Sequence, residues 1–119
     1  MRIAISGTAC QGKSTLVKDF LEQWPSYTTP EKTYRDIIAE NKLEHSSKTN
    51  KETQRKILDF QIEEQQKYRN GDNVLFDRCP LDNLVYSMWA CEQEGNDIDE
   101  EFVSSCLPLV RESFRNLDI

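Results

Sequence analysis

Two kinds of apolar spacing alternate along this chain. The run "RIAIS" closes on Gly7 and predicts a short buried strand. From Lys13 to Trp24 the apolar positions are Leu16, Val17, Phe20, Leu21 and Trp24, the spacing of an amphipathic helix that Pro25 ends. "SYTT" is a weak strand candidate. A second helix is expected from near Pro30, with Tyr34, Ile37 and Ile38 on one face, followed by the polar, loop-like "EHSSKTN" with His45 in solvent. "TNKE" has capping-box spacing, Thr49 to Glu52, ahead of a helix with Ile57, Leu58, Gln61, Ile62 and Gln65 in register. After the turn "NGDN", "NVLFD" reads as a buried strand ending in an acid. "PLDNLVYSMWACEQ" is helical again, its stripe of Leu81, Leu84, Val85, Met88 and Trp89 expected in the core. Asp99 is placed to cap a last helix, kinked or interrupted at Pro108, and "NLDI" has the character of another strand's start.

Strands alternating with helices indicate a parallel sheet with helical crossovers, so the fold class is α/β. The 119 residues suffice for one small domain, 1–119, and not for two. Composition narrows the partners. A net charge of −6 disfavours a nucleic acid polymer, whose binding is driven by release of phosphate counterions, but leaves room for a compact phosphate site. No run approaches a membrane span and the apolar N-terminal stretch is too short for a signal peptide, so a cytoplasmic protein is expected. The four cysteines include no CxxC pair and the chain has one His, which argues against zinc and for free thiols; Cys91 and Cys106 read as core.

"GTACQGKST", residues 7–15, fits G-x-x-x-x-G-K-[ST] between a strand and a helix. Gly7 and Gly12 let the backbone curl so that the loop N–H groups, from Gly7 through Thr8, Ala9, Cys10 and Gln11 to Gly12, face phosphate oxygens beside the positive end of a helix dipole. Lys13 then reaches the β- and γ-phosphates, the Ser14 hydroxyl can ligate Mg²⁺, and Thr15 lies near the α-phosphate. The bland alternative is a glycine-rich turn with an incidental lysine. The second constellation is "VLFDRCPLDN": a strand that ends in Asp, parallel to the loop strand, is where a Walker-B carboxylate is expected. Asp77 would hold Mg²⁺ directly or through water, and Arg78 would stabilise phosphoryl charge or grip an acceptor. A strand-terminal ion pair is the structural alternative. Cys10 and Cys79 lie beside this site, which raises the hypothesis of a redox-sensitive thiol.

"GTACQGKST" with "LFDRCPLDNLVY" resembles the P-loop small-molecule kinases, in particular the AAA-type ATPase/kinase domain typified by ribosylnicotinamide kinase, with nucleoside and nucleotide kinases more distant. The resemblance covers residues 1 to about 95. It implies a P-loop NTPase-type parallel sheet with helices on both faces, in which Gly7 to Thr15 bind ATP and Mg²⁺, Asp77 serves the metal or the acceptor, and Arg78 contacts phosphoryl groups. It also implies an acid after the first helix that binds or deprotonates the acceptor hydroxyl. "TTPEKTYRD" offers Glu31, with Arg35 one turn on, although Thr28 to Glu31 also has capping-box spacing. Asp82 is read as a helix cap. Such kinases continue into a further strand and a lid, so the fold is expected to be truncated after its third core strand, with a sticky sheet edge that favours self-association.

The reaction expected is ATP-dependent phosphoryl transfer to a small acceptor: a nucleoside, a nucleotide or a related ribosyl compound. Lys13, Arg78 and Mg²⁺ would neutralise charge while Glu31 or Asp77 orients the acceptor. A nucleotide-driven ATPase or switch module, and a truncated domain that binds nucleotide without turnover, are the alternatives.

Overall fold

A computed structural model describes residues 1–43 and 48–119, so the expectation for His45 lies outside the described residues. Strands β1 (Arg2–Ile5) and β2 (Val74–Asp77) pair in parallel, with Arg2 opposite Val74 and Ile5 opposite Asp77. Val74, Leu75 and Phe76 are all buried, as expected of a strand covered on both faces. "SYTT" contributes one bridging residue and no strand. Thr28 donates from its N–H to Asn73 O at 3.0 Å and accepts from Leu75 N at 2.8 Å. The next bond of a parallel ladder would need an N–H on residue 30, and Pro30 has none. At the other edge, Ile119 N donates to Arg2 O at 3.3 Å and Ile119 O accepts from Ala4 N at 2.9 Å, the two bonds flanking Ile3. "NLDI" therefore runs beside β1, fixed also by Asp118, whose carboxylate accepts from Arg2 N at 2.7 Å and pairs with the buried Arg2 guanidinium at 3.2 Å.

Five helices flank this sheet among the described residues: α1 (Lys13–Gln23), α2 (Tyr34–Glu40), α3 (Lys51–Gln66), α4 (Pro80–Cys91) and α5 (Glu100–Ser113). Leu58, Leu84, Cys106 and Val110 form the buried centre where α3, α4 and α5 meet. None of the five is long and apolar enough to cross a membrane. Asp99 caps α5 by accepting from Phe102 N at 2.8 Å. That helix passes through Pro108 without a break, because the residue is exposed and the Ser104 carbonyl that loses its partner lies on exposed chain.

Three sequence expectations shift. Helix α2 begins at Tyr34, not near Pro30, since Thr33 and Asp36 form its capping box: Thr33 N donates to Asp36 Oδ2 at 2.7 Å. The Thr28–Glu31 box does not form, because Thr28 is held in the sheet. Helix α3 is capped by Asn50, whose Oδ1 accepts from Thr53 N at 2.8 Å, while Thr49 is buried and accepts from Gln54. The largest shift is in α4. Pro80, Asn83, Leu84, Ser87 and Ala90 face inward, and Val85, Met88 and Trp89 are 55%, 52% and 43% exposed. The small and amide side chains are inside because Asn83 and Ser87 bond to Gln54 of α3, an attraction that hydrophobic spacing does not register.

Hydrogen bonds from Arg2 hold the Asp118 carboxyl below its usual value. A carboxyl whose pKa is lower in the folded than in the unfolded chain contributes stability above the unfolded value, about 3.9, and loses it as pH falls through the folded one. Asp118→Asn is therefore expected to lower the melting temperature at pH 7 and to flatten its fall between pH 5 and 2, followed by circular dichroism. Parallel pH profiles for the two proteins would show that the pair does not anchor the chain end.

Candidate nucleotide site

The chain leaves β1 at Ile5, turns through Gly7 to Gly12 and starts α1 at Lys13. Gly12 takes φ +77°, a left-handed conformation that costs an L-residue about 1–2 kcal/mol, and no atom lies within 4 Å of where a Cβ would sit. Backbone conformation is thus the requirement here, not space. Thr8 to Gly12 are exposed, as are Ser14 and Thr15. The Lys13 side chain folds back along the loop, its Cδ 3.7 Å from the Cβ position of Gly7 and its ammonium donating to Thr8 O. The first turn of α1 differs from those of the other helices: α2 to α5 each carry a capping side chain and an acid there, and α1 has neither. Its positive end therefore has no acid or capping side chain of its own to offset it, the electrostatic condition that favours an anion there.

The β2–α4 turn holds this loop in place. Asp82, at the third position of α4, accepts from Cys79 N at 2.8 Å on one oxygen. Its other oxygen accepts from Gly7 N and from Ser6 Oγ, both at 2.9 Å. The carbonyl of Gly7 accepts from Arg78 Nη1 at 3.1 Å, so both backbone polar groups of that residue are bound from across the sheet edge. Gly7 anchors the loop; its own N–H is not directed at a phosphate. Arg78 sits at φ +79°, outside the range a long side chain normally adopts, with its N–H donating to Ile5 O at 2.9 Å. Its guanidinium lies 4.0 Å from Asp82 and 5.2 Å from the centroid of the Tyr34 ring. Arg35 approaches the same ring at 5.7 Å, which brings two cations to the edge where β1 and β2 end.

Asp77 closes β2. Its Oδ1 is buried and has no hydrogen-bond partner among the described residues, the condition of a carboxylate that lacks a ligand or a water. Among the described residues no group of three or more His, Cys, Asp or Glu could hold a metal alone. Mg²⁺ keeps its waters and takes one or two protein oxygens beside phosphate, and Asp77 offers an oxygen of that kind. Glu31 is exposed, three residues before α2, and does not line the pocket that opens beside the loop. Cys10 is exposed in the loop at φ +59°. Cys79 is buried, and its burial pushes the thiol's pKa up, which disfavours the reactive thiolate that a redox role requires. Cys106 is core as expected, whereas Cys91 is half-buried.

Against Ser6 to Ala9 opens a pocket of about 530 Å³, walled by α3 and α4 and lined also by Tyr34 and Arg78. A family model described as an AAA domain matches residues 2–109. The chain belongs to this AAA domain family. Neither a curated protein nor a solved structure matches the chain. Membership in this P-loop family accounts for a loop with an open helix end opposite an acid-terminated strand, an arrangement for nucleotide binding.

Within this AAA domain, sequence reading named the loop, Asp77, Arg78, Arg35 and Glu31 as site residues; the first four meet at one edge of the sheet, and Glu31 lies outside the pocket lining. The same reading assigned Asp82 only half its role, missed Tyr34 as the ring shared by two arginines, and gave no sign of the pocket. The signal for Asp82 was its spacing from Cys79; the bonds to Ser6 and Gly7 span more than 70 residues and have no local signature.

Asp82→Ala removes the acceptor of three donors at once. The expected loss is roughly 1–3 kcal/mol of unfolding free energy, read as a lower urea midpoint at unchanged slope. Asp82→Asn, which keeps one acceptor oxygen, should fall between. An unchanged midpoint for the alanine variant would mean that the loop is held by other contacts.

Proposed function

We propose that this AAA domain transfers the γ-phosphoryl group of ATP to a small acceptor: a nucleoside, a nucleotide or a related ribosyl compound. The observation that carries the reading is adjacency. A pocket large enough for a metabolite opens directly against the phosphate loop, with Arg78 and Tyr34 in its lining. An ATPase that only drives a partner has no need of such a pocket.

In this reading Lys13 leaves Thr8 O for the β- and γ-phosphate oxygens, and the uncapped start of α1 receives the phosphate chain. Ser14 and Asp77 would hold Mg²⁺, which supplies neutralisation of the charge on the transferring group. Arg78, already anchored to Gly7 O, shares that charge from the acceptor side. Asp77 or Glu31 orients the acceptor hydroxyl; for Glu31, the segment ahead of α2 has to close over the pocket. Most of the catalysis is positioning.

Radiolabelled ATP incubated with Mg²⁺, the protein and a panel of nucleosides and nucleotides tests this. Acceptor-dependent appearance of a labelled product is expected, with Arg78→Ala slower on the order of 100-fold and Asp77→Asn shifting the Mg²⁺ requirement upward. Release of inorganic phosphate at a rate that no acceptor changes would instead assign the domain to hydrolysis.

A further inference from the structure

The pocket beside the loop has two unlike ends. At one end are Ser6 to Ala9 and Arg78, and here α4 begins, tied to the loop by Asp82. Trp89 lies two turns further along α4, about 10 Å up the axis from Asp82. Leu81, Val85 and Trp89 recur every fourth residue on one stripe of the helix, and all three line the pocket with Tyr86 and, from α3, Ile57. The amides in this wall offer no hydrogen-bonding edge. Asn83 Nδ2 donates to Gln54 Oε1 at 2.9 Å and Gln54 Nε2 donates to Thr49 Oγ1 at 2.8 Å. Both side chains are buried, and Asn83 Oδ1 is covered by protein. Gln61 lines the cleft beside Asp77 as well, together with Tyr34 and Arg78, and so belongs to the loop end. Val85 and Trp89 are nonetheless exposed, which leaves a stripe of core character uncovered beside a phosphate loop.

From this gradient, phosphate loop at one end and uncovered apolar stripe at the other, we infer that the pocket takes an acceptor of two parts. A hydroxylated sugar lies at the loop end, and an uncharged ring lies at the Trp89 end, held by burial and contact and not by hydrogen bonds. The ring packs against the open part of Trp89, which is backed by Tyr86 with centroids 5.3 Å apart and a tilt of 41°. The inference deepens the kinase reading and rests on it for the placing of the hydroxyl at the loop. Its consequence is tolerance. An apolar wall responds to area and shape, so it separates ring systems by size and not by the donors and acceptors on their edges.

Calorimetry on the native chain, with Mg²⁺ and a saturating non-hydrolysable ATP analogue, tests this. Adenosine, its counterpart with the exocyclic amino group dimethylated, and ribose are titrated in turn. Adenosine is expected to bind, the dimethylated nucleoside within about threefold of it, and ribose roughly tenfold or more weakly for want of the ring. Trp89→Ala should weaken both nucleosides by about tenfold and Trp89→Phe should recover most of that loss. Neither variant should change affinity for the ATP analogue, and circular dichroism checks that both fold. No binding of adenosine at millimolar concentration overturns the inference, as does ribose binding as well as adenosine. A loss of about tenfold on methylation overturns it too, since the ring's edge would then be read by hydrogen bonds. Weaker binding of the ATP analogue to Trp89→Ala would give the stripe to the donor's base and have the same effect. Phosphoryl transfer to an acceptor whose affinity Trp89→Ala leaves unchanged would uphold the kinase reading and overturn the pocket's role. Methylation-tolerant, Trp89-dependent nucleoside binding without transfer would do the reverse.

Discussion

The carboxylate of Asp82 ties the two halves of the site together. One oxygen caps the start of α4, and the other accepts from the backbone and side chain at the mouth of the phosphate loop. Because the group belongs to a helix whose buried face packs on α3 and α5, the loop is referenced to the domain's core and not only to its own strand. The same bonds set the distance between Gly7 and Arg78, which in the proposed reaction would be the spacing of the phosphate-binding and charge-sharing groups. Preorganisation of this kind is what phosphoryl transfer asks of a protein that does little covalent chemistry itself.

Two of the three non-glycine residues with left-handed backbone among the described residues lie in this site; the third, Lys42, follows α2. Arg78 and Cys10 both hold left-handed backbone without being glycine, one at the end of β2 and the other within the loop. At Arg78 the conformation lets the N–H continue the β1 ladder while the guanidinium turns back to Gly7 and the Tyr34 ring. Lys13, by contrast, makes a bond to Thr8 O that a phosphate can replace without disturbing the frame. In the proposed function, fixed arginine and exchangeable lysine would be different tasks in one site, and the two side chains suit them in that order.

Local grammar made much of this readable from the chain. Glycines five apart before Lys-Ser, and an apolar run closing on Asp-Arg, specify a loop and a strand end with little help from the rest of the fold. Positions decided by contacts across the sequence were not readable. The apolar stripe of α4 pointed to Val85, Met88 and Trp89 as core, yet the Asn83–Gln54 amide pair turns the helix so that these side chains reach solvent and pocket. Asn50 displaced Thr49 as the cap of α3 because Thr49 is drawn into the same buried network. "SYTT" stopped at one bridge for want of a single N–H on Pro30. Each miss traces to a polar interaction, whereas hydrophobic spacing was the principal guide.

The most direct test of the account is isothermal calorimetry with ATP and Mg²⁺ on the native chain and on Lys13→Ala. The account predicts one site per chain and at least a tenfold loss of affinity in the variant, with both proteins equally folded. A folded native chain that binds no nucleotide, or a Lys13→Ala variant that binds as tightly as the native chain, would contradict it.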